Sequence, residues 1–349
     1  MTPSPGSAPA DTVYLSKLTQ LPSQIVFIMG CHRSGTSMLY HLLAYTGVCD
    51  YLSVYDIVQY DELLANRIEG REDAAKQALD AAVRVEKTRG LDDLPVSAGT
   101  PEEYRFLLSP PAPDWFFNPN EPDGRRVFAP HLTRERLDRF LEICRKKAFL
   151  SGGKPLILKN PNDHYFNFGE ICRMLPEARM IFIHRHPLHI LNSYIKGFSG
   201  ILETRSEYLA LLDERYRTLF QSPLTATLLK RLFQGETLPR TLARALSQSY
   251  TYYLEQTRQM PPDHYLSLRY EDLCGDPQTH LERIGRFLGI PITPQVPANF
   301  VAPRRLNVPE HLLKAYQEHA GGMREYLESQ HYSLFPDIPA VGAAMLHSS

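Results

Sequence analysis

A short apolar segment, a glycine turn and a helix follow one another between residues 24 and 47. The run from Ile25 to Met29 is typical of a strand that is buried in the centre of a parallel sheet. Residues Ser34 to Ser37 then place closely spaced N–H groups and hydroxyls at the start of a helix, where the helix dipole favours an anion. Gly47 is a suitable residue to end that helix. The segment predicts a strand, turn and helix unit that binds an anion.

The turn is close to the Walker A pattern GxxxxGK[ST] of phosphate-binding loops. Gly30 and Gly35 have the required spacing, but Thr36 occupies the position of the lysine and Arg33 lies inside the loop. The missing lysine normally reaches the terminal phosphates of a nucleoside triphosphate. The loop is therefore expected to bind phosphate without the usual apparatus for a triphosphate and magnesium.

A second strand and helix occupy residues 179–198. The run from Met180 to Ile183 is apolar and β-prone, and Pro187 suits the first turn of a helix. Arg185 follows the strand, and Ser193 comes eight residues later. A guanidinium can hold a phosphate through two parallel charge-assisted hydrogen bonds, and a hydroxyl can add another donor. These two residues are suited to bind a phosphate group.

A third segment, residues 264–290, combines a short strand with an amphipathic helix. Tyr270 opens a Tyr-Glu-Asp-Leu sequence directly after the strand, and Asp276 with Pro277 starts the helix. Asp276 is interpreted as the helix cap, and the leucines of the helix as core residues.

In this order, the three segments resemble those of sulfotransferases that use 3′-phosphoadenosine-5′-phosphosulfate (PAPS), in the style of tyrosylprotein and bacterial enzymes. GCHRSGTS resembles the 5′-phosphosulfate loop of that family, and Arg185 with Ser193 resembles its 3′-phosphate site. The resemblance covers residues 24–290. It implies an α/β, three-layer P-loop-like fold in which helices flank a mostly parallel central sheet, with a largely helical and loop-rich substrate cap. It also implies PAPS as co-substrate, no metal, and a nucleotide site formed by Arg33, Ser34, Gly35, Thr36, Ser37, Arg185, Ser193 and Tyr270.

Sulfuryl transfer needs an in-line acceptor oxygen, stabilisation of charge on the leaving phosphate and a base for the hydroxyl proton. Arg33 and Lys159 are the cations that we expect to meet the developing charge. Lys159 follows a buried-type strand in PLILKNP, which resembles the LK-x-P segment of the tyrosylprotein and bacterial branches. In folds of this kind the ends of parallel strands line the ligand site.

The resemblance locates the general base only by region. Cytosolic sulfotransferases use a histidine two residues after the equivalent lysine, whereas this chain has Pro161 there. Another branch uses a glutamate on the loop after the first helix, and Asp56 is the nearest titratable residue at that distance. Asp56 is therefore the predicted base, and His164 is the next candidate. The other titratable residues of these regions are Asp50, Asp61, His41 and His32.

Composition limits the classes of partner and the compartment. The net charge of −1 is evidence against nucleic acid as a main partner, because duplex binding usually needs a strongly basic face. The five cysteines are odd in number and contain no CxxC pair, so neither a disulfide framework nor a zinc site is indicated. No apolar stretch approaches the ~20 residues that cross a bilayer. We expect a soluble, cytoplasmic and bacterial enzyme.

A single domain is expected over residues 21–335, between a disordered tail at 1–20 and a second tail at 336–349. Within it, residues 50–130 are expected to form the substrate cap and residues 200–240 a helical insert. Periodicity predicts helices at 72–89, 133–149, 163–175, 205–232, 239–258 and 308–328, and further strands at Leu156–Leu158 and Tyr265–Leu268.

Residues 95–130 are rich in proline and aromatic side chains. A long aromatic loop near the site favours a small apolar or aromatic acceptor with a hydroxyl over a polyanionic glycan. Two other functions stay open at this point. A P-loop nucleotide kinase-like enzyme would need the Walker lysine and a magnesium-binding acid, and a non-catalytic protein that binds 3′-phosphoadenosine-5′-phosphate (PAP) would need neither Lys159 nor a base.

Overall fold

The structure is a computed structural model that describes residues 9–83, 96–108, 130–204, 206–212, 235–293 and 308–336, with residues 227 and 231. Its centre is a five-stranded sheet in the order β2-β3-β1-β4-β5, and every neighbouring pair of strands is parallel. The strands are β1 Ile25–Met29, β2 Asp50–Tyr51, β3 Leu156–Lys159, β4 Arg179–His184 and β5 Tyr265–Arg269.

The α-helices of the described residues are α1 Thr36–Tyr45, α2 Val54–Val58, α3 Leu63–Ile68, α4 Glu72–Val83, α5 Arg105–Leu108, α6 Arg134–Ser151, α7 Pro161–Phe166, α8 Phe168–Met174, α9 Pro187–Thr204, α10 Glu207–Leu212, α11 Thr237–Thr257, α12 Tyr270–Gly275, α13 Pro277–Leu288, α14 Glu310–Ala320 and α15 Arg324–Ser329. Short 3-10 helices occupy Ala10–Lys17, Tyr60–Glu62 and Gly321–Met323.

Side chains of the central strands alternate between two hydrophobic cores, one on each face of the sheet. Phe27 and Met29 belong to the core that α6, α8 and α11 cover. Val26 and Ile28 belong to the other core, which α1 and α13 cover. Because successive strand residues point to opposite faces, both faces of β1 are buried, as its uninterrupted apolar sequence predicts. The result is a three-layer α/β fold.

The strands that the sequence predicts are confirmed, each within about one residue of its expected end. The strand β2 was not predicted, since two residues carry no periodic signal. The predicted helix at 163–175 is two helices, α7 and α8, which meet at Asn167. Most of the predicted helix at 205–232, and most of the aromatic stretch at 95–130, lies outside the described residues.

The expectation of a disordered tail is wrong for the residues after position 9. Ala10–Lys17 is a 3-10 helix that packs near α3. Asp11 is buried, where it accepts hydrogen bonds from Lys146 Nζ at 2.7 Å and from the backbone N–H of Ala65 at 2.9 Å. A buried carboxylate needs such partners, and composition alone gave no sign of them. In the described part of the chain, no helix has the length and apolar character that crossing a membrane requires.

Candidate active site

The turn after β1 is shaped by two glycines that cannot carry a side chain. A Cβ on Gly30 would lie 2.5 Å from Ser34 Oγ and 2.6 Å from the carbonyl oxygen of Ile183. Gly35 has a φ of +106° and begins α1, and a Cβ there would lie 2.4 Å from the ring of Tyr270. The loop therefore lies close against β4 and Tyr270, so its backbone N–H groups and the residues after β4 share one site.

The buried polar atoms of this site include two donors that have no hydrogen-bond partner among the described residues. They are Ser34 Oγ, on a residue with 1% exposure, and Arg185 Nε. Buried donors are normally paired in native proteins, because an unpaired one costs the free energy of its lost hydration. The two donors belong to the loop and to the end of β4, where the sequence predicts the two phosphate sites, and they fit an anionic ligand.

Arg33, Arg185, Ser193 and Tyr270 form one cluster. Arg33 Nε donates to Ser193 Oγ at 3.1 Å, and Arg185 Nη1 donates to the backbone oxygen of Arg33 at 3.0 Å. The guanidinium of Arg185 stacks over the ring of Tyr270, with 4.3 Å from Cζ to the ring centroid. Arg33 is in the left-handed region with a φ of +70°, a strained conformation that turns its side chain toward α9. The structure thus links Arg33 to the residue that we expected to bind the 3′-phosphate.

Lys159 lies at the end of β3, beside the start of α1. Its side chain is 2% exposed, and its Nζ donates to Ser37 Oγ at 3.0 Å. Strands β1 and β3 are neighbours, so the loop after β1 and the lysine after β3 meet at the carboxyl edge of the sheet. The buried position excludes an ordinary surface lysine.

Glu103 is the residue at this site that the sequence did not reveal. Its Oε1 accepts from Lys159 Nζ at 2.8 Å, and its Oε2 accepts from Arg105 Nε at 2.5 Å. Burial alone would raise the pKa of the Glu103 carboxyl, but Lys159 and Arg105 outweigh burial and lower the pKa. A carboxylate therefore lies directly beside the lysine at the strand end.

The segment that carries Glu103 pairs with the loop after β2. The N–H of Glu102 donates to the oxygen of Leu52 at 2.8 Å, and the N–H of Val54 donates to the oxygen of Thr100 at 2.9 Å. The sequence predicts a base in the chain that follows the first helix, and Glu103 is a second carboxylate of that chain. The one signal for Glu103 was the charged run PEEYR inside an otherwise apolar and aromatic segment.

Asp56, the predicted base, caps the start of α2. Its Oδ2 accepts from the backbone N–H and the hydroxyl of Ser53, at 2.8 and 2.7 Å, which completes a capping box at the start of α2. The same oxygen accepts from Lys147 Nζ at 2.9 Å. Lys147 also pairs with Asp50 at 3.2 Å. These buried bonds give Asp56 a structural role at the start of α2 and therefore do not favour it as the base.

His164 lies in the aromatic core behind the site. It is 1% exposed, and its ring stacks on Phe168 and lies edge-on to Phe182. Burial lowers the pKa of His164 to about 3. A buried imidazole in an aromatic core is therefore not favoured as the base.

His32 is the histidine that does lie in the loop. Its ring centroid is 5.7 Å from that of Tyr165 and 6.0 Å from that of Tyr194. Burial lowers the pKa of His32 to about 3, so the imidazole is neutral near pH 7. Its neighbours are the rings of Tyr165 and Tyr194 and the charged groups of Glu103, Lys159 and Arg105. Of the remaining candidates, Asp61 is half-exposed near Arg139, and His41 lies on α1.

Comparison with known proteins agrees with this geometry. Residues 25–294 match the model of a family described as the sulfotransferase family. The chain is similar to the omega-hydroxy-beta-dihydromenaquinone-9 sulfotransferase Stf3 of Mycobacterium bovis, with 25% identity over 283 residues, which cover 76% of this chain and 62% of that protein. This chain thus spans less than two thirds of the length of that relative.

Two solved structures share the fold. Sulfotransferase STF9 from Mycobacterium avium has a TM-score of 0.53 and 17% identity, and the match covers 94% of this chain and 80% of that one. Sulfotransferase STF1 from Mycobacterium tuberculosis H37Rv has a TM-score of 0.50 and 15% identity, with coverage of 89% and 75%. Since the family model matches the greater part of the chain, from β1 to beyond α13, the protein belongs to the sulfotransferase family.

Proposed function

We propose that the protein transfers a sulfuryl group from PAPS to the hydroxyl of a small, apolar or aromatic acceptor. The observation that carries the proposal is the meeting of three elements at one edge of the sheet: the loop with Ser34, the strand end with Lys159, and the cluster around Arg185. A family that binds PAPS needs a site for each end of a bisphosphorylated nucleotide, and two unpartnered buried donors occur in the two corresponding places.

The residues divide between the two ends of the nucleotide. Ser34, Thr36 and Ser37, with the N–H groups at the start of α1, are suited to the 5′-phosphosulfate. Arg185, Ser193 and Arg33 are suited to the 3′-phosphate, because their hydrogen bonds already join them into one group of donors. The ring of Tyr270 stacks against the plane of the Arg185 guanidinium and stabilises its orientation. In this proposal Arg33 binds the 3′-phosphate, whereas the sequence predicts that it contacts the sulfuryl group.

PAPS supplies a sulfur atom with a good leaving group, the 5′-phosphate of PAP. During transfer the acceptor oxygen forms a bond to sulfur, the bond between sulfur and the bridging oxygen breaks, and the bridging oxygen keeps the electron pair. The hydroxyl proton passes to a base. Lys159 stabilises the charge that develops on the leaving phosphate, since a buried ammonium at the strand end acts with little screening by water.

Glu103 is the base in this proposal. It is an ionised carboxylate in contact with Lys159, and it belongs to a segment that backbone hydrogen bonds hold in place. When Lys159 turns toward the leaving phosphate, Glu103 loses one of its two cations, which raises the proton affinity of its carboxylate. A base needs that increase, because an acid of very low pKa accepts a proton poorly. His32 is the rival, since it is neutral and close.

Three observations support an apolar acceptor. The named substrate of the Mycobacterium bovis relative, a hydroxylated dihydromenaquinone, is a long apolar molecule with a hydroxyl. The rings of His32, Tyr165 and Tyr194 lie against one another, and the charges of Glu103 and Lys159 are near His32. The net charge of −1 gives no broad attraction for an acidic polysaccharide.

The test is transfer of radiolabelled sulfate from PAPS to a panel of alcohols, phenols, amines and neutral sugars. We expect transfer to apolar alcohols or phenols by the wild-type protein and a loss of about 10²-fold in kcat for Lys159→Ala. Binding of PAP without transfer to any acceptor would instead favour a non-catalytic PAP-binding protein. Phosphate transfer from ATP would favour the kinase-like alternative.

A further inference from the structure

A second contact ties the segment with Glu103 to the strand end with Lys159. The hydroxyl of Tyr104 donates a hydrogen bond to Asp163 Oδ2, and both residues are completely buried. Tyr104 is next to Glu103 in sequence, and Asp163 lies in α7, which follows Lys159. The hydrogen bond therefore joins the same two segments as the ion pair between Lys159 and Glu103, on the core side of that pair.

The acceptor of this bond has a fixed orientation. Asn160 Nδ2 donates to Asp163 Oδ2 at 2.8 Å, and Asn167 Nδ2 donates to Asp163 Oδ1 at 3.0 Å. The donor also keeps its proton, because burial and the Asp163 carboxylate raise the pKa of the Tyr104 hydroxyl well above its ordinary value. The phenol is therefore protonated near neutral pH and donates to Asp163.

The side chains of Tyr104 and Glu103 take different directions. The ring of Tyr104 packs edge-on against Phe27 and Phe140, with centroid distances of 6.0 and 5.6 Å. Glu103 turns instead to Lys159 and Arg105. Tyr104 has no exposed surface with which to touch an acceptor, so any effect on the reaction has to pass through its neighbour.

We propose that the hydrogen bond between Tyr104 and Asp163 positions the Glu103 carboxylate relative to Lys159. The proposal rests on the proposed function, in which Glu103 accepts the hydroxyl proton. In-line transfer depends on the placement of the base, and an error of about 1 Å can cost on the order of 10²-fold in rate. Tyr104 and Asp163 are positioning residues, and neither contacts the reacting atoms.

Another tyrosine holds the same segment at a different point. Tyr208 donates to Glu102 Oε2, and Tyr208 lies in α10. That bond connects the segment to α10, whereas the Tyr104 bond connects it to the residues directly after Lys159. We therefore assign to the bond between Tyr104 and Asp163 the role of setting the distance between Glu103 and Lys159.

The experiment is a double-mutant cycle with Tyr104→Phe and Glu103→Gln, which measures kcat for the wild type, both single variants and the pair. Phenylalanine keeps the ring packing and removes only the hydroxyl. We expect Tyr104→Phe to lower kcat by about 10-fold in the wild-type background, to leave PAP affinity unchanged in calorimetry, and to have no effect when Glu103 is already Gln. Non-additivity of this kind does not follow from a general loss of stability.

Tyr60→Phe is the matched control, because Tyr60 is also buried and also donates to a carboxylate, Glu142 Oε1 at 2.8 Å, near Lys146. It should keep the wild-type kcat in both backgrounds. Equal losses of kcat from Tyr104→Phe in both backgrounds would overturn the proposal, since Tyr104 would then act independently of Glu103.

The same experiments distinguish failure of the proposed function from failure of the positioning role. Absence of transfer from PAPS by the wild type contradicts that function, and wild-type turnover by Glu103→Gln contradicts the base. If Tyr104→Phe does not fold, Asp163→Ala takes its place in the cycle, since alanine removes the acceptor of the same hydrogen bond. Loss of folding in both variants would show that the pair is only structural, and would also overturn the proposal.

Discussion

Lys159 Nζ and Glu103 Oε1 lie 2.8 Å apart, in an ion pair whose lysine is almost completely buried. The pair joins the end of β3 to a segment 56 residues earlier in the chain. It places a cation suited to a leaving phosphate and a carboxylate suited to a hydroxyl proton in direct contact. The attraction between the two charges offsets part of the cost of burying either alone.

Replacement of Glu103 by Gln should lower kcat by about 10²-fold or more and leave PAP affinity nearly unchanged, because the amide cannot accept the proton. Steady-state kinetics and calorimetry with PAP give the two values. The matched variant is Asp56→Asn, which should retain the wild-type kcat. It should also lower the free energy of unfolding by about 1–3 kcal/mol, since Asp56 accepts three buried hydrogen bonds. A normal rate for Glu103→Gln with an inactive His32→Gln would assign the base to His32.

Arg185 should determine the preference for a 3′-phosphate. In Arg185→Ala, the affinity for PAP should fall by about 30-fold or more, while the affinity for adenosine-5′-phosphate changes little, because a bidentate charged contact contributes about 2 kcal/mol. Arg185→Lys should give an intermediate affinity, since lysine keeps the charge without the planar fork. Arg173→Ala, at an exposed pair with Glu170, is the control. Equal calorimetric affinities of the wild type for the two nucleotides would contradict this assignment.

Gly35→Ala should disrupt the nucleotide site more than its backbone strain alone explains. A left-handed alanine costs about 1–2 kcal/mol, and the new Cβ would also collide with Tyr270 at 2.4 Å. The collision displaces the ring beneath Arg185, so PAP affinity should fall along with stability. Gly47→Ala is the control, because Gly47 has a φ of +68° and open space around its Cβ position. A similar PAP affinity in the two variants would show that the contact with Tyr270 is unimportant for binding.

His164→Phe should make the protein less sensitive to acid without a change in kcat. In the folded protein the pKa of His164 is about 3, against an ordinary value of 6.5. Between these values only the unfolded chain binds the proton, so His164 lowers the free energy of unfolding as the pH falls, by up to about 1.4 kcal/mol per pH unit. Phenylalanine removes this contribution and keeps the stacking on Phe168.

Urea unfolding between pH 7 and pH 4 measures the effect. Above pH 6.5 the variant should be at least as stable as the wild type, since Nδ1 of His164 has no hydrogen-bond partner among the described residues. His331→Asn, at an exposed left-handed position, should leave the pH dependence unchanged. Parallel curves for His164→Phe and the wild type would mean that His164 is not buried in the neutral form.

The predictable part of the fold is the part that local sequence specifies. The apolar runs from Ile25 to Met29 and from Met180 to Ile183 are buried on both faces, so they appear in the sequence as unbroken apolar segments. The loop between Gly30 and Ser37 is similarly local, because its glycines and hydroxyls are consecutive. The pattern was therefore sufficient for four of the five strands, and the residues of the phosphate sites stay a prediction.

Pairing between distant segments was decided only by the tertiary structure. Asp56 and Glu103 are both acidic residues on the chain that follows the first helix, and the sequence does not distinguish their surroundings. In the structure, Ser53 and Lys147 bind the first, and Lys159 binds the second. The chemical role of a carboxylate depends on which cations and donors surround it, and in this protein those groups come from other parts of the chain.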